Sequence, residues 1–156
     1  MRRLAPALAL LAAVAAWGLD PPLARYAVTS ETGYRKNPLG GGLDSLHRGV
    51  DLFGPLGCDV LAAAPGLVTE VWAKHQTFGR MVTIYHEGGI WTLYGHLRST
   101  AVQEGEIVIK GQVIGRQGNT GQSDGEHLHF EVIVDPLILF ERPTGQSDRT
   151  RRELLR

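Results

Sequence analysis

The sequence predicts a mainly β protein built of antiparallel sheets. Short runs rich in Val, Ile, Thr, Tyr and Trp recur between Val50 and Val134, glycines punctuate them, and no helical periodicity of useful length competes. With 156 residues and 43% hydrophobic content, the chain suits one globular domain with a modest core. Sixteen Lys and Arg balance sixteen Asp and Glu, so the formal charge is zero. Such a chain lacks the long-range attraction to phosphate that a nucleic-acid partner requires.

In chain order, residues 1–16 read as a signal peptide or a short N-terminal anchor. Arg2 and Arg3 give a positive start, Leu4 to Ala16 are mostly apolar, and Ala13-Val14-Ala15 offers a small-x-small cleavage pattern. The run falls short of the roughly 20 residues that span a bilayer as a helix, so no stable membrane span is expected after processing. Residues 17–29, with the Pro21-Pro22 pair, read as an extended linker. Residues 28–42, VTSETGYRKNPLGGG, hold four Gly, one Pro and one Asn and read as loops. Then come the strand candidates VDLF, GLVTEVWA, RMVTIYHE, GIWTLYGHL, GEIVIKGQVIG and HLHFEVIV. Glu87-Gly88-Gly89 between two of them predicts a tight hairpin. Residues 143–156 form a polar, Arg-rich tail of solvated character.

Cys58 is the only cysteine. It excludes an intrachain disulfide and a thiolate metal cluster, and between Gly57 and Asp59 it reads as a small packing residue. Any metal must therefore use histidine and carboxylate. Three places offer them: His47 and Asp51, whose spacing of four would put them on one face of a helix or of a strand and where Gly49 and VDLF favour a loop leading into a strand; His96 at the end of YGHL; and His127 with His129, which share one strand face while Leu128 and Phe130 take the other. His75 and His86 have no companion signal. A catalytic zinc site takes three protein ligands and leaves a fourth position open, and this set supplies the ligands with histidines to spare for proton transfer. Spacing leaves His127 and His129 equivalent as ligands. Glu131 shares their nominal face, either as an outer acceptor that orients one of them or as a strand-end surface carboxylate.

HxxxD at His47 to Asp51, YGHL at Tyr94 to Leu97 and GNTGQSDGEHLHFEV at Gly118 to Val132 follow one another in an order that resembles the M23 family of zinc metallopeptidases, the lysostaphin or LytM type. GYRKNP, GVDLFGPLGCDVLAAAPGLV and EGEIVIKGQVIGRQGNTG support the likeness, which covers residues 30–142 as a peptidase domain. The resemblance implies an antiparallel β core with the metal site in a surface groove. It implies His47, Asp51 and His129 as Zn2+ ligands, with His96 and His127 acting in catalysis. The implied activity is endopeptidase cleavage of peptidoglycan stems or cross-links by zinc-bound water, in the periplasm or the cell wall.

Two departures from the family pattern stand out. HFEVIVDP lacks the longer hairpin that many relatives place after this strand, which implies a shorter groove rim. GGGLDSL has no tyrosine ahead of HxxxD, leaving Tyr34 or Tyr94 as the candidates for an oxyanion donor. A competing reading is a catalytically inactive wall-binding or amidase-activating module of the same family, whose degenerate members typically lack metal ligands. VQEGEIVIKGQVIGRQG also resembles the hybrid motif of lipoyl carriers, so the fold class includes a lipoyl-like duplicated core. Lys110 is not flanked by the methionine a carrier uses, and the carrier reading leaves the histidines unexplained.

Overall fold

The computed structural model describes residues 18–36 and 44–135. The described residues form twelve strands and no helix: β1 (Ala27–Ser30), β2 (Gly33–Lys36), β3 (Asp44–His47), β4 (Val50–Phe53), β5 (Asp59–Leu61), β6 (Gly66–His75), β7 (Gly79–His86), β8 (Ile90–Leu97), β9 (Ser99–Thr100), β10 (Ile107–Val108), β11 (Val113–Arg116) and β12 (Leu128–Val134). Seven of them make one sheet in the order β1-β4-β12-β8-β7-β6-β10. A three-stranded sheet β5-β11-β9 and the β2-β3 hairpin complete the set, and every pairing is antiparallel.

The large sheet has two unlike faces because its strands alternate. On β12, Leu128 and Phe130 are fully buried and pack with Val50, Leu52, Val82, Ile84, Tyr94 and Ile114 in the core. Phe130 stands opposite Tyr94 in the β12-β8 register, and the two rings lie 5.4 Å apart. Burying each such side chain stabilises the fold by roughly 1.5–3 kcal/mol. His129 and Glu131 project from the opposite face. The β7-β8 hairpin turns through Glu87, Gly88 and Gly89, with φ of 81° and 69° at the two glycines, a left-handed pair that glycine adopts without steric cost.

Three expectations need correction. Residues 28–42 are not all loop: β1 pairs with β4 through Val28↔Leu52 and Ser30↔Asp51, and β2 pairs with β3 from Gly33↔His47 to Lys36↔Asp44. The glycine-rich composition hid these strands because β1 finds its partner some twenty residues along the chain. The segment read as a linker is also packed into the body. Leu19 and Leu23 are 2% exposed, Asp20 N–H donates to Ala63 O, and Leu61 N–H donates to Pro22 O. The predicted strand GEIVIKGQVIG divides in two, β10 joining the large sheet and β11 the small one, with a turn closed by Gln112 N–H to Ile109 O. Lys110 stands in that turn and pairs with Asp20 at 3.0 Å. The expected leader and tail lie outside the described residues.

His86, with no companion in sequence, anchors a buried polar chain. Its Nδ1–H donates to Pro65 O at 2.8 Å, because a carbonyl only accepts. Neutral Nε2 must then accept from the Thr92 hydroxyl at 2.7 Å, which directs the Tyr94 hydroxyl, 2.9 Å away, to donate to Thr92. Ala63 N–H closes the chain on Tyr94 Oη at 2.9 Å. Every polar atom is satisfied in one direction only, tying the Ala63 to Pro65 turn to the core face of β7 and β8. Burial pushes the His86 pKa down, against the opposing Pro65 carbonyl, in keeping with a chain that has no place for a second ring proton. Thr92→Val removes the link between two buried partners and is expected to cost about 1–3 kcal/mol, read as a lower denaturation midpoint at unchanged m.

Candidate metal centre

His47 ends β3 and Asp51 lies in β4, separated by the corner at Gly49. A Cβ at Gly49 would collide with Phe130 O and come within 2.8 Å of Glu131 Cγ and 2.9 Å of His129 Nε2, so only glycine lets this corner lie against β12. The β4-β12 register sets Asp51 directly opposite His129, and the β2-β3 register sets Gly33 opposite His47.

Three atoms converge. His47 Nε2 lies 3.0 Å from Asp51 Oδ1 and 3.0 Å from His129 Nδ1, and His129 Nδ1 lies 2.9 Å from Asp51 Oδ1. All three residues are 5% exposed. Around a tetrahedral ion with bonds of about 2.0–2.1 Å, ligand atoms stand about 3.3 Å apart, close to the size of this triangle. Among the described residues these three form a group able to hold a metal.

The hydrogen bonds behind the triangle decide which nitrogens face it. His47 Nδ1–H donates to Glu31 O at 2.8 Å, and His129 Nε2–H donates to buried Glu131 Oε1 at 2.9 Å. With their outer nitrogens protonated, both neutral rings turn a lone pair inward toward a carboxylate oxygen. Three acceptors facing one another repel unless a cation or a proton sits among them, so the donor set fits a metal ion. Without an ion, protons shared within the triangle take the cation's place. Burial opposes a charge on Asp51, yet hydrogen bonds from His129 and His47 outweigh it and hold the carboxyl well below its ordinary range. Burial likewise opposes an imidazolium at His129, but its bonds to Asp51 and Glu131 prevail and raise its pKa.

The remaining sequence candidates come to the same place. His127 Nδ1–H donates to Gly125 O at 2.9 Å, while its Nε2 lies 3.6 Å from Asp51 Oδ1. The side chain of His127 is 14% exposed, against 4–7% for those of the three inner residues, so the cluster opens toward solvent on its side. His96 Nδ1–H donates to Thr120 O at 2.8 Å, and its ring lies 4.7 Å from that of His127 and 5.8 Å from that of His129. Burial pushes the His96 pKa down to about 4, helped by the neighbouring His127 and His129 and opposed by the Thr120 carbonyl. The structure thus gathers all five candidates and resolves Glu131 as a buried partner of His129.

It does not bring Tyr94 to the site, since that ring is fully buried on the core face, and Tyr34 on β2 is 80% exposed. Sequence reasoning missed Phe78, which stacks on the His129 ring at 5.2 Å and accepts the His96 N–H through its carbonyl. His75 stacks on Phe78 in turn, and its Nδ1 accepts the N–H groups of Thr77 and Phe78.

A convergent His–Asp–His triangle with two further imidazoles alongside, carried on one face of an antiparallel sheet, is the equipment of a metal-dependent hydrolase. Comparison with known proteins makes the class specific. The profile of peptidase family M23 matches residues 45–138, and the chain belongs to that family. It is 40% identical over 116 residues to the DD-carboxypeptidase/endopeptidase Mpg of Neisseria meningitidis, an alignment covering 73% of this chain and 26% of that protein. It is 38% identical over 117 residues to the peptidoglycan DD-endopeptidase ShyC of Vibrio cholerae, covering 72% and 27%. A zinc-containing peptidase from Vibrio cholerae has the same fold, with a TM-score of 0.67 at 36% identity over 75% of this chain and 37% of that one. The chain therefore spans about a quarter of the length of these curated relatives.

In chelator-treated protein, ring titrations by NMR should place His96 and His129 on opposite sides of the ordinary value of 6.5. His96 stays neutral until about pH 4, whereas His129 keeps its proton above 6.5. Stability inherits both signs. The contribution from His96 is present above pH 6.5 and lost as pH falls through about 4, and that from His129 is present below 6.5 and lost as pH rises through its raised value. Titration of both rings at 6.5 would overturn this description of the cluster.

Proposed function

We propose that this chain is a zinc-dependent endopeptidase that hydrolyses peptide bonds in the stems or cross-links of peptidoglycan. The inward convergence of His47 Nε2, Asp51 Oδ1 and His129 Nδ1, with His96 and His127 beside them, carries the reading. Family membership and relatives named for DD-endopeptidase activity support the substrate class. The zinc-containing peptidase supports the choice of metal. A signal peptide or short anchor at residues 1–16, as the sequence suggests, would suit export to the periplasm or cell wall, where this substrate lies.

Zinc bound in the triangle would supply a Lewis acid able to polarise a scissile carbonyl and to acidify water. His47, Asp51 and His129 would hold it, and the Glu31 carbonyl and Glu131 fix the two imidazoles in the tautomers that ligation needs. His96 and His127 each donate Nδ1–H to a loop carbonyl and so keep an Nε2 lone pair for chemistry. One takes the proton of the attacking water on that lone pair; the other acts with its Nε2 protonated, as an imidazolium that steadies the developing oxyanion or hands its proton to the departing amine. The carbon–nitrogen bond breaks, the carbonyl carbon keeps the hydroxyl, and the amine leaves with the proton. An inactive wall-binding module would be expected to have lost ligands, whereas all five positions are filled here.

Digestion of purified peptidoglycan by protein of measured zinc content, with fragments identified by mass spectrometry, tests the reading; inert protein with a full complement of zinc would refute it. His129→Ala should lose zinc and activity together, whereas His127→Ala should keep zinc and lose turnover. Retention of hydrolysis within a few-fold by the His127 variant would remove that residue from catalysis. Glu131→Gln should weaken zinc affinity about 10–100-fold, the range typical of a lost outer partner, as measured by competition with a chelator. Unchanged affinity would return Glu131 to a packing role.

A further inference from the structure

His96 is the one non-glycine residue with positive φ among the described residues, at 61°. A bulky side chain in the left-handed region is costly and persists where the surroundings enforce it. The enforcement comes from two segments. His96 N–H donates to Phe78 O at 2.8 Å, Thr120 N–H donates to His96 O at 3.4 Å, and His96 Nδ1–H donates to Thr120 O at 2.8 Å. Thr120 thus holds both the backbone and the ring of His96. The Thr120 hydroxyl fixes Thr120 in turn, donating to Leu97 O at 2.8 Å and accepting Arg80 N–H at 2.9 Å. The two enforcing segments interlock at Gly79 and Gly121, both left-handed, where a Cβ on either would strike the backbone of the other segment.

We propose that Thr120 is a positioning residue for His96. Its carbonyl takes the Nδ1 proton and so leaves Nε2 as the lone pair available to the reaction, and its hydroxyl pins that carbonyl to the start of β7 and the end of β8. The inference rests on the hydrolase reading of the site but is testable apart from it. A threonine hydroxyl that only filled space would be replaceable by a methyl group. One that orients His96 would not, because losing it releases the carbonyl on which the tautomer depends.

The test compares zinc-loaded parent, Thr120→Val and Thr120→Ser. Thr120→Val should keep its zinc content and cooperative melt, lose at least about 10-fold in kcat with little change in KM, as expected for a displaced reacting group, and show His96 as a mixture of tautomers in ring 15N spectra. Thr120→Ser, which keeps the hydroxyl, should restore both kcat and the single Nδ1–H tautomer. A Thr120→Val variant with kcat within twofold of parent and an unchanged His96 spectrum would overturn the proposal. So would failure of Thr120→Val and of the smaller Thr120→Ala to fold, since that would make the residue structural. If the parent itself is inert on peptidoglycan, the hydrolase reading fails, and the His96 spectra still decide whether Thr120 sets the tautomer.

Discussion

The antiparallel register between β4 and β12 is the constraint on which the site depends, because it places Asp51 directly opposite His129. That register is enforced from the other face of the sheet. Leu128 and Phe130 are fully buried between Leu52, Val50 and Tyr94, and a one-residue slip would exchange them with His129 and Glu131. Such a slip would expose two large apolar side chains, at roughly 1.5–3 kcal/mol each, and bury an imidazole and a carboxylate in hydrocarbon. Hydrophobic burial on one face therefore fixes the polar geometry on the other to within a strand register. Gly49 completes the constraint, since any side chain there would push the His47 corner away from β12.

Much of this was legible in the sequence because strands have period two. Alternation along HLHFEV assigns Leu128 and Phe130 to the core and the two histidines to the opposite face, and the structure keeps that assignment. The hairpin at Gly88 and Gly89 was legible for a similar local reason, as left-handed turns favour glycine. β1 and β2 were not, because composition around Gly33 and Gly40 to Gly42 speaks for loops while the pairing of Val28 with Leu52 is a long-range event. The packing of Leu19 and Leu23 was hidden for the same reason. A Pro-Pro pair describes local conformation and says nothing about which surface the flanking leucines cover.

The candidate site shows the same division. Residue types and spacing named five members, yet they gave no sign that Phe78 would stack on His129 or that His86 would anchor a buried chain through Thr92 to Tyr94. Both depend on which strands become neighbours. Tyr94 shows how one position misleads: it lies two residues before His96, but its hydroxyl points into the core and is used to hold the Ala63 turn. Strand alternation alone would have put Tyr94 and His96 on one face. The left-handed conformation of His96 breaks the alternation, so the two residues serve opposite sides of the sheet.

What the sequence could not supply in principle is the choice of nitrogen on each ring. His47, His86, His96 and His127 all donate Nδ1–H to backbone carbonyls, those of Glu31, Pro65, Thr120 and Gly125. None of these carbonyls lies within a named strand, so the loops set the tautomers while the sheet sets the positions. His129 is turned the other way, offering Nδ1 to the triangle, because Glu131 two residues along the same strand face captures its Nε2–H. A strand offers that i, i+2 carboxylate at one fixed spacing, whereas a loop carbonyl can approach from anywhere. The member of the triangle whose orientation must match the Asp51 register is thus held by its own strand. The two imidazoles beside it are held from outside the strands, by the loop carbonyls of Thr120 and Gly125.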